Sequence, residues 1–388
     1  MAYQAPGVYV EETSSPIKPI SGVGTSTAGF IGVVPDDIDM PDLPPQLAVG
    51  TTTKYVVAAE NVERLVTSWD EFTQAFGDLQ ADNEALAHAV RGFFANGGSR
   101  CFVVRTADAP TTDTLPTALA ALGGRDEIAL VVMPGITDGA LQKLVVDHCA
   151  ALENRFAILD GVFDPTELTA AAIRKSGTNS YAAVYFPWID VGAKDADGAI
   201  VYQPPSGHVA GVYARVDGER GVHKAPANEV VRGAFGVERG ISRPQQEGLN
   251  PSGINCIRIM NGNVTIWGAR TTASASEQEW RYVSVRRLFI FLRESIEQGT
   301  GWMVFEPNGP DLWSKIRRNV TAFLTNVWQS GALFGTTAEQ AFYVRCDETL
   351  NDENTREQGT VITEIGLAVT RPAEFVVFRV TQWAGPGQ

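Results

Sequence analysis

Residues 127–161 read EIALVVMPGITDGALQKLVVDHCAALENRFAILDG, and their pattern decides the fold class. Ile128–Met133 is an apolar run without polar alternation, closed by Pro134 and Gly135. A strand of that kind is covered on both faces. Residues 139–154 then place Leu141, Leu144, Val145, His148 and Leu152 along one side at helical spacing. RFAILDG returns to a continuous apolar strand. Strand, helix and strand in succession argue a mostly parallel sheet with helices on both faces.

The alternation extends both ways. Upstream, STAGFIGVV (26–34) reads as a buried strand, followed by the Pro/Asp loop PDDIDMPDLPPQL. VERLVTSWDEFTQAFGD (62–78) reads as a strand and a short helix, with Ser68 or Asp70 as N-cap and Gly77 as its stop. EALAHAVRGFFANGG (84–98) sets Leu86, Ala89, Val90, Phe93 and Phe94 on one helical face, and RCFVVRTA is the next strand. Downstream, DPTELTAAAIRKSG (164–177) predicts a helix opened by Asp164 and Pro165 and closed by Gly177, before the strand SYAAVYFPWI. Residues 190–254 are rich in Gly, Pro and Asp and read as long loops with one or two helices. Loops of that length usually carry a function or a partner.

The last third is regular. INCIRIMNGNVTIWGART (254–271) predicts a hairpin turning at Asn261–Asn263. SEQEWRYVSVRRLFIFLRESIEQG (276–299) predicts a helix with a Ser276/Glu279 capping box and a Gly299 stop. Its buried face carries Trp280, Val283, Leu288, Phe291, Leu292 and Ile296. WMVFEPNGP reads as strand and turn, and PDLWSKIRRNVTAFLTNVWQSG (310–331) as a second long helix. AFYVRC, TVITEIGLAVT and AEFVVFRVTQW are the closing strands. The other end of the chain, MAYQAPGVYVEE (1–12), is strand-like but separated from any core by the turn-rich TSSPIKPISGVG.

The 388 residues suggest two or three domains, with 44% apolar and 20% charged residues in the ordinary globular range. No apolar run approaches the length of a membrane span, and no secretory signal is visible. Cys101, Cys149, Cys256 and Cys346 are far apart and read as buried free thiols. The net charge of −14 is uneven: residues 255–388 carry −1 and the remainder −13. That balance argues against nucleic-acid binding, which wants a basic footprint.

Searching for chemistry returns little. GxxxxGK[ST], GxSxG and HExxH are absent, and GVGTSTAG (22–29) lacks dinucleotide-loop spacing and precedes its strand. KDADG (194–198) lacks the remaining ligands of a calcium loop and reads as a polar turn. His88 and His148 lie on helices. His208 and His223 fall in the loop-rich region, where they either stand in solvent or line a pocket with Asp217, Glu219 and Arg220. Asp160 stands alone at a strand's carboxyl end and makes no acid/base pair. No catalytic, metal or cofactor residue is expected. Arg286, Arg287, Lys315, Arg317 and Arg318 form two basic clusters, either the solvated faces of amphipathic helices or a docking surface for an acidic protein.

Several long stretches together resemble contractile tail sheath proteins of phage tails and related bacterial injection systems. They are LNPSGINCIRIMNGNVTIWGART, EWRYVSVRRLFIFLRESIEQGTGWMVFEPNGPDLWSKIRRNVTAFLTNVWQSGALFG and AFYVRCD, with YQAPGVYVEE, PPSGHVAGVYARVDGERGVHKAPANE and RPAEFVVFRVTQ. The resemblance implies a mixed α/β and α+β chain in four parts. These are an N-terminal arm (1–25), an outer α/β domain with a loop-rich end (26–254), a C-terminal α+β core domain facing the tube (255–373) and a C-terminal strand arm (374–388). It implies hexameric rings stacked helically around an inner tube, with baseplate and terminal cap proteins as further partners. Such particles assemble in the bacterial cytoplasm, without nucleic-acid or direct membrane contact. The arms would donate strands to neighbouring copies through Val8, Tyr9, Val10 and Glu11 at one end and Phe375, Val377, Phe378 and Val380 at the other. Exposed strand edges are pairing templates, so such exchange is physically apt. Lys315, Arg317 and Arg318 are the expected contacts to an acidic tube. The rival readings are a phage tail against an injection system and, further off, an α/β enzyme without a visible motif.

Overall fold

The structure is a computed structural model that describes residues 19–51 and 53–379. In chain order the first half contains β1 (Ala28–Val33), β2 (Arg64–Val66), α1 (Trp69–Phe76), α2 (Glu84–Ala95), β3 (Cys101–Thr106) and α3 (Leu115–Gly123). β4 (Leu130–Val132), α4 (Gly139–Leu152), β5 (Phe156–Asp160), α5 (Ala170–Ile173) and β6 (Ala182–Phe186) follow. Next come β7 (Ile189–Lys194), β8 (Ile200–Gln203), α6 (Ser206–Arg220), β9 (Glu229–Val230), β10 (Gly236–Val237) and α7 (Arg243–Leu249). The chain closes with β11 (Ile254–Met260), β12 (Asn263–Ile266), α8 (Val283–Thr300), α9 (Pro310–Gln329), α10 (Ala338–Ala341), β13 (Phe342–Arg345), α11 (Glu353–Glu357) and β14 (Glu364–Leu367).

A nine-stranded sheet in the order β2-β3-β1-β4-β5-β6-β11-β12-β9 organises residues up to 266, and the six strands from β3 to β11 in that order run parallel. Alternate residues feed opposite faces. Phe30, Val103, Val132 and Ile158 join α2 and α6, whereas Ile31, Val104, Val131 and Leu159 join α3 and α4. That is why the strands read as unbroken apolar runs. β11 and β12 continue this sheet past residue 254. Local chemistry sets the helix starts. Ser68 caps α1 at Glu71 N (3.2 Å), and Asp138 caps α4 at the amides of Ala140 and Leu141 (2.9 and 3.0 Å).

The segment expected to be long loops with one or two helices holds α6, the most buried helix of the fold. α6 lies flat against α2, and glycines permit the approach: a Cβ on Gly207 would strike Ala89, and one on Gly211 the Phe93 carbonyl. His208 is therefore buried over Gly92, not solvated, and its Nδ1 has no partner. Four other expectations change. The helix expected from Asp164 shrinks to the single turn of α5, because Asp164 takes a positive φ of 40° and pairs with Arg239 while Thr169 supplies the cap. α8 begins at Val283: Ser274 turns back onto Glu277 (2.8 Å), so no Ser276/Glu279 box forms, and the helix runs through Gly299. Residues 301–303 form a 3-10 turn where a strand was expected. Residues 371–379 pair with no strand among the described residues.

α8 and α9 build a second core. Leu288 and Leu292 meet Leu312, Trp313, Ile316, Val320, Phe323, Leu324 and Val327, and Ile20 from the chain's beginning joins them. The two-stranded sheet β13–β14 packs on this layer.

All four histidines are held below their usual value of 6.5, first by burial: His88 and His148 to about 4, His208 to about 3, and His223 in the same direction. A neutral buried histidine gains a proton on unfolding, so its stabilisation is present above pH 6.5 and declines as pH falls. Asp160, pushed by burial up to about 6, works the other way, but only once pH drops toward 6. The melting temperature is therefore expected to fall between pH 7 and 6, and His88→Gln with His223→Gln to flatten that fall. Calorimetry at stepped pH checks it; a flat wild-type profile contradicts the assignment.

Candidate assembly surfaces

Two polar clusters tie segments near the two ends of the described residues to the folded body. At the first, Arg287 of α8 donates to Asp217 of α6 at 2.9 and 2.6 Å, and both side chains are 4% exposed. Thr25 completes the cluster, its hydroxyl on Asp217 (2.6 Å) and its carbonyl accepting from Arg287 Nη2 (2.9 Å). Burial pulls the Arg287 pKa down, but the Asp217 charge and hydrogen bonds outweigh it and hold it above the ordinary value. Arg287 also lies 4.8 Å from the Tyr213 ring centre. Its neighbour Arg286 sits 3.6 Å from the Trp280 ring centre and donates to Ser180 Oγ (2.5 Å). Arg286 and Arg287 therefore do not stand on the solvated face of this helix, which carries Arg293, Glu297 and Gln298; both guanidiniums turn inward.

The second cluster closes on Glu374. Its Oε1 accepts from Arg270 Nε (2.8 Å) and Asn250 Nδ2 (2.7 Å), and its Oε2 from Arg270 Nη2 (2.7 Å) and Tyr282 Oη (3.0 Å). Burial raises this carboxyl, and the Arg270 and Asn250 hydrogen bonds reverse the direction, leaving it below the usual carboxylate range. Immediately beyond, Phe375, Val377 and Phe378 are 72–86% exposed. Val380 and the whole set Val8, Tyr9, Val10 and Glu11 lie outside the described residues.

A third feature is the pair β13–β14, to which no further strand adds among the described residues. Ala368 N bonds Ala341 O, so antiparallel alternation aims the Ile365 and Leu367 amides away from β13. The ribbon is held by packing on the α8 and α9 core, and its open edge invites another strand. On α9, Lys315 and Arg318 are exposed, while Arg317 donates to Cys346 O (2.5 Å).

The features that might have signalled an enzyme have structural duties. Asp160 accepts from Gly135 N, Ser206 N and Ser206 Oγ at 3.0, 2.8 and 2.7 Å, capping α6 from a neighbouring strand. The four cysteines are buried and free. Among the described residues no group of three His, Cys, Asp or Glu is placed to hold a metal, and no helix is long and apolar enough to cross a membrane.

Residues 108–272 match the phage tail sheath protein central domain, and residues 275–382 the phage tail sheath C-terminal domain. The chain belongs to the contractile tail sheath family. It is 31% identical to the helical sheath of the anti-feeding prophage in its contracted state, covering 98% of this chain and all of that one with a TM-score of 0.77. The contracted sheath of the extracellular contractile injection system PVC gives 30% identity, 99% coverage of both chains and a TM-score of 0.76. A putative prophage major tail sheath protein of Pseudomonas aeruginosa is 27% identical over 263 residues. That match spans 65% of the relative, and matches to tail sheath proteins of Vibrio phage KVP40 and Burkholderia phage BcepMu span 25% and 30% of theirs.

Of the residues the sequence suggests for a C-terminal arm, Phe375, Val377 and Phe378 are exposed and Val380 lies outside the described residues; Glu374, Arg270, Asn250, Tyr282 and Thr25 have no role in that reading. Arg287 reads in the sequence as part of a solvated or docking face, although a signal for burial is present: it lies four residues after Val283, hence on the helix's inward stripe. Removing one partner of a buried ion pair costs about 3–5 kcal/mol. Asp217→Ala is expected to lose about that much in urea unfolding, and Asp217→Leu with Arg287→Met to recover most of it. Equal losses in the two variants would refute a dominant uncompensated charge.

Proposed function

We propose that this chain is the force-generating sheath subunit of a contractile injection particle, polymerising as hexameric rings stacked helically around an inner tube. The observation that carries this reading is the incomplete C-terminal layer: a two-stranded sheet with open edges and, following it, apolar residues 375–378 that stand exposed among the described residues. Strand donation between copies satisfies both needs at once. Head-to-tail donation grows an open helical assembly rather than a closed dimer. The N-terminal arm, through Val8–Glu11, and the C-terminal arm, through Phe375–Val380, are the donors. Contraction drives the tube through a target envelope.

Whole-length likeness to the anti-feeding prophage and PVC sheaths favours an injection system over a phage tail. The particle assembles in the bacterial cytoplasm, with tube, baseplate and cap proteins as partners. The acidic domain of residues 26–254 faces outward and the near-neutral remainder faces the tube. The chain works by assembly, without an enzymatic step. Of the basic residues on α9, Lys315 and Arg318 are the ones free to meet an acidic tube; Arg317 supports the contact from beneath, tied to Cys346.

Deleting Met1–Glu12, or substituting Ile365→Pro to remove an outward amide, is expected to leave a folded monomer that forms no tubes by negative-stain electron microscopy. Ordered ridged tubes from the deletion would refute strand exchange. Lys315→Glu with Arg318→Glu is expected to preserve sheath polymerisation while lowering co-sedimentation with purified inner tube at 150 mM salt by about tenfold, the equivalent of about 1.4 kcal/mol. Unchanged co-sedimentation would remove these residues from the tube face.

A further inference from the structure

The two arm roots are tied to the two ends of one helix. From Thr25 back to Ile20 the chain runs antiparallel along α8. Thr25 is held at Arg287, and Val23 N donates to Ser295 Oγ (3.1 Å). Gly22 lies under Phe291, where a Cβ would come within 2.9 Å of the ring, and Ile20 covers Gly299, with a corresponding approach of 2.7 Å. The N-terminal arm therefore departs from the last turn of α8. The C-terminal root sits at the opposite end, because Tyr282, the N-cap residue of α8, is one of the three side chains that hold Glu374. Seventeen residues separate Tyr282 from Gly299, about 25 Å along the axis at the standard helical rise.

We propose that Glu374 is the latch that fixes the C-terminal arm to α8, and that α8 is thereby the strut carrying load between the two arms. The proposal rests on the strand-exchange reading above. The geometry suits the task. All four acceptor sites of the Glu374 carboxylate are used, two by the Arg270 fork, which fixes its direction as well as its position. Arg270 is itself buried and bonded to Asn250 O (3.1 Å), so the socket is rigid. The residue after the latch is already exposed. Arm length is consequently measured from Glu374, and slack before it is invisible to the neighbouring subunit. At the other end, a pull on the N-terminal arm along the helix loads the contacts of Ile20, Val23 and Thr25 together, in shear, instead of peeling them singly.

Two insertions separate this from a merely stabilising contact. Gly-Ser placed between Pro372 and Ala373 adds slack inside the latch; Gly-Ser between Glu374 and Phe375 lengthens the free arm. The first is expected to polymerise within about twofold of the wild-type threshold concentration and the second to need at least about tenfold more protein, a difference of about 1.4 kcal/mol. Glu374→Ala combined with the first insertion is expected to behave like the second, with hydrogen exchange of residues 371–374 raised and that of the β1–β6 core unchanged. Thresholds that do not differ between the insertions overturn the latch. Truncation after Glu374 reports on the underlying reading: lost polymerisation with equal insertions removes the latch alone, and normal polymerisation removes strand exchange itself.

Discussion

The Arg287–Asp217 pair is the interaction on which the rest depends. Two charges placed in a dry interior repay their desolvation only when every donor and acceptor is met. Here Thr25 and the Tyr213 ring take part in meeting them. The cluster thus accepts one arrangement of three separate pieces of chain: α6 from the sheet domain, α8 from the C-terminal layer, and the segment leading to the N-terminal arm. Apolar packing alone would hold these pieces together while allowing them to slide. A buried ion pair with a fixed fork sets their register. Tyr185 and Tyr213 extend the same polar seam into the sheet, hydroxyl to hydroxyl at 2.7 Å.

The sheet domain and the C-terminal layer differ in self-sufficiency. In the first, the parallel strands have both faces covered, and Asp160 at the carboxyl end of β5 is satisfied internally. In the second, the helices share a core, but β13 and β14 keep open edges and four apolar residues beyond Glu374 stand in solvent. The strand-exchange reading proposed above accounts for the contrast: the first part completes itself, and the second is left for a neighbouring copy to complete.

The parallel sheet was legible in the sequence because its signal is local: an apolar run of strand length, stopped by turn residues, fits little besides a strand covered on both faces. α4 and α9 were legible through period and caps. α6 was not. SGHVAGVYARVDGER has no dry and wet side, because nearly the whole helix is buried and its polar residues are consumed by long-range partners: Ser206 by Asp160, Arg215 by Asn96, Asp217 by Arg287. Gly207 and Gly211 look like loop residues until α2 is laid against them. The α5 region failed for the opposite reason. Asp164 and Pro165 make a proper helix start, but the competing ion pair to Arg239 holds Asp164 in a left-handed conformation.

The arm roots escaped sequence reading for a related cause. Thr25 and Glu374 are ordinary residues in turn-rich or strand-like text, and their importance lies in contacts to residues 262 and 104 positions away. Only a closed fold brings them to α8. Under the strand-exchange proposal, a subunit that stays linked to its neighbours while it reorients needs each arm to begin at a defined point on something stiff. Hydrogen bonds placed at those two points do more for such a machine than the same number spread through a loop. On the proposed reading, they would set which residues travel with the subunit and which with its neighbour.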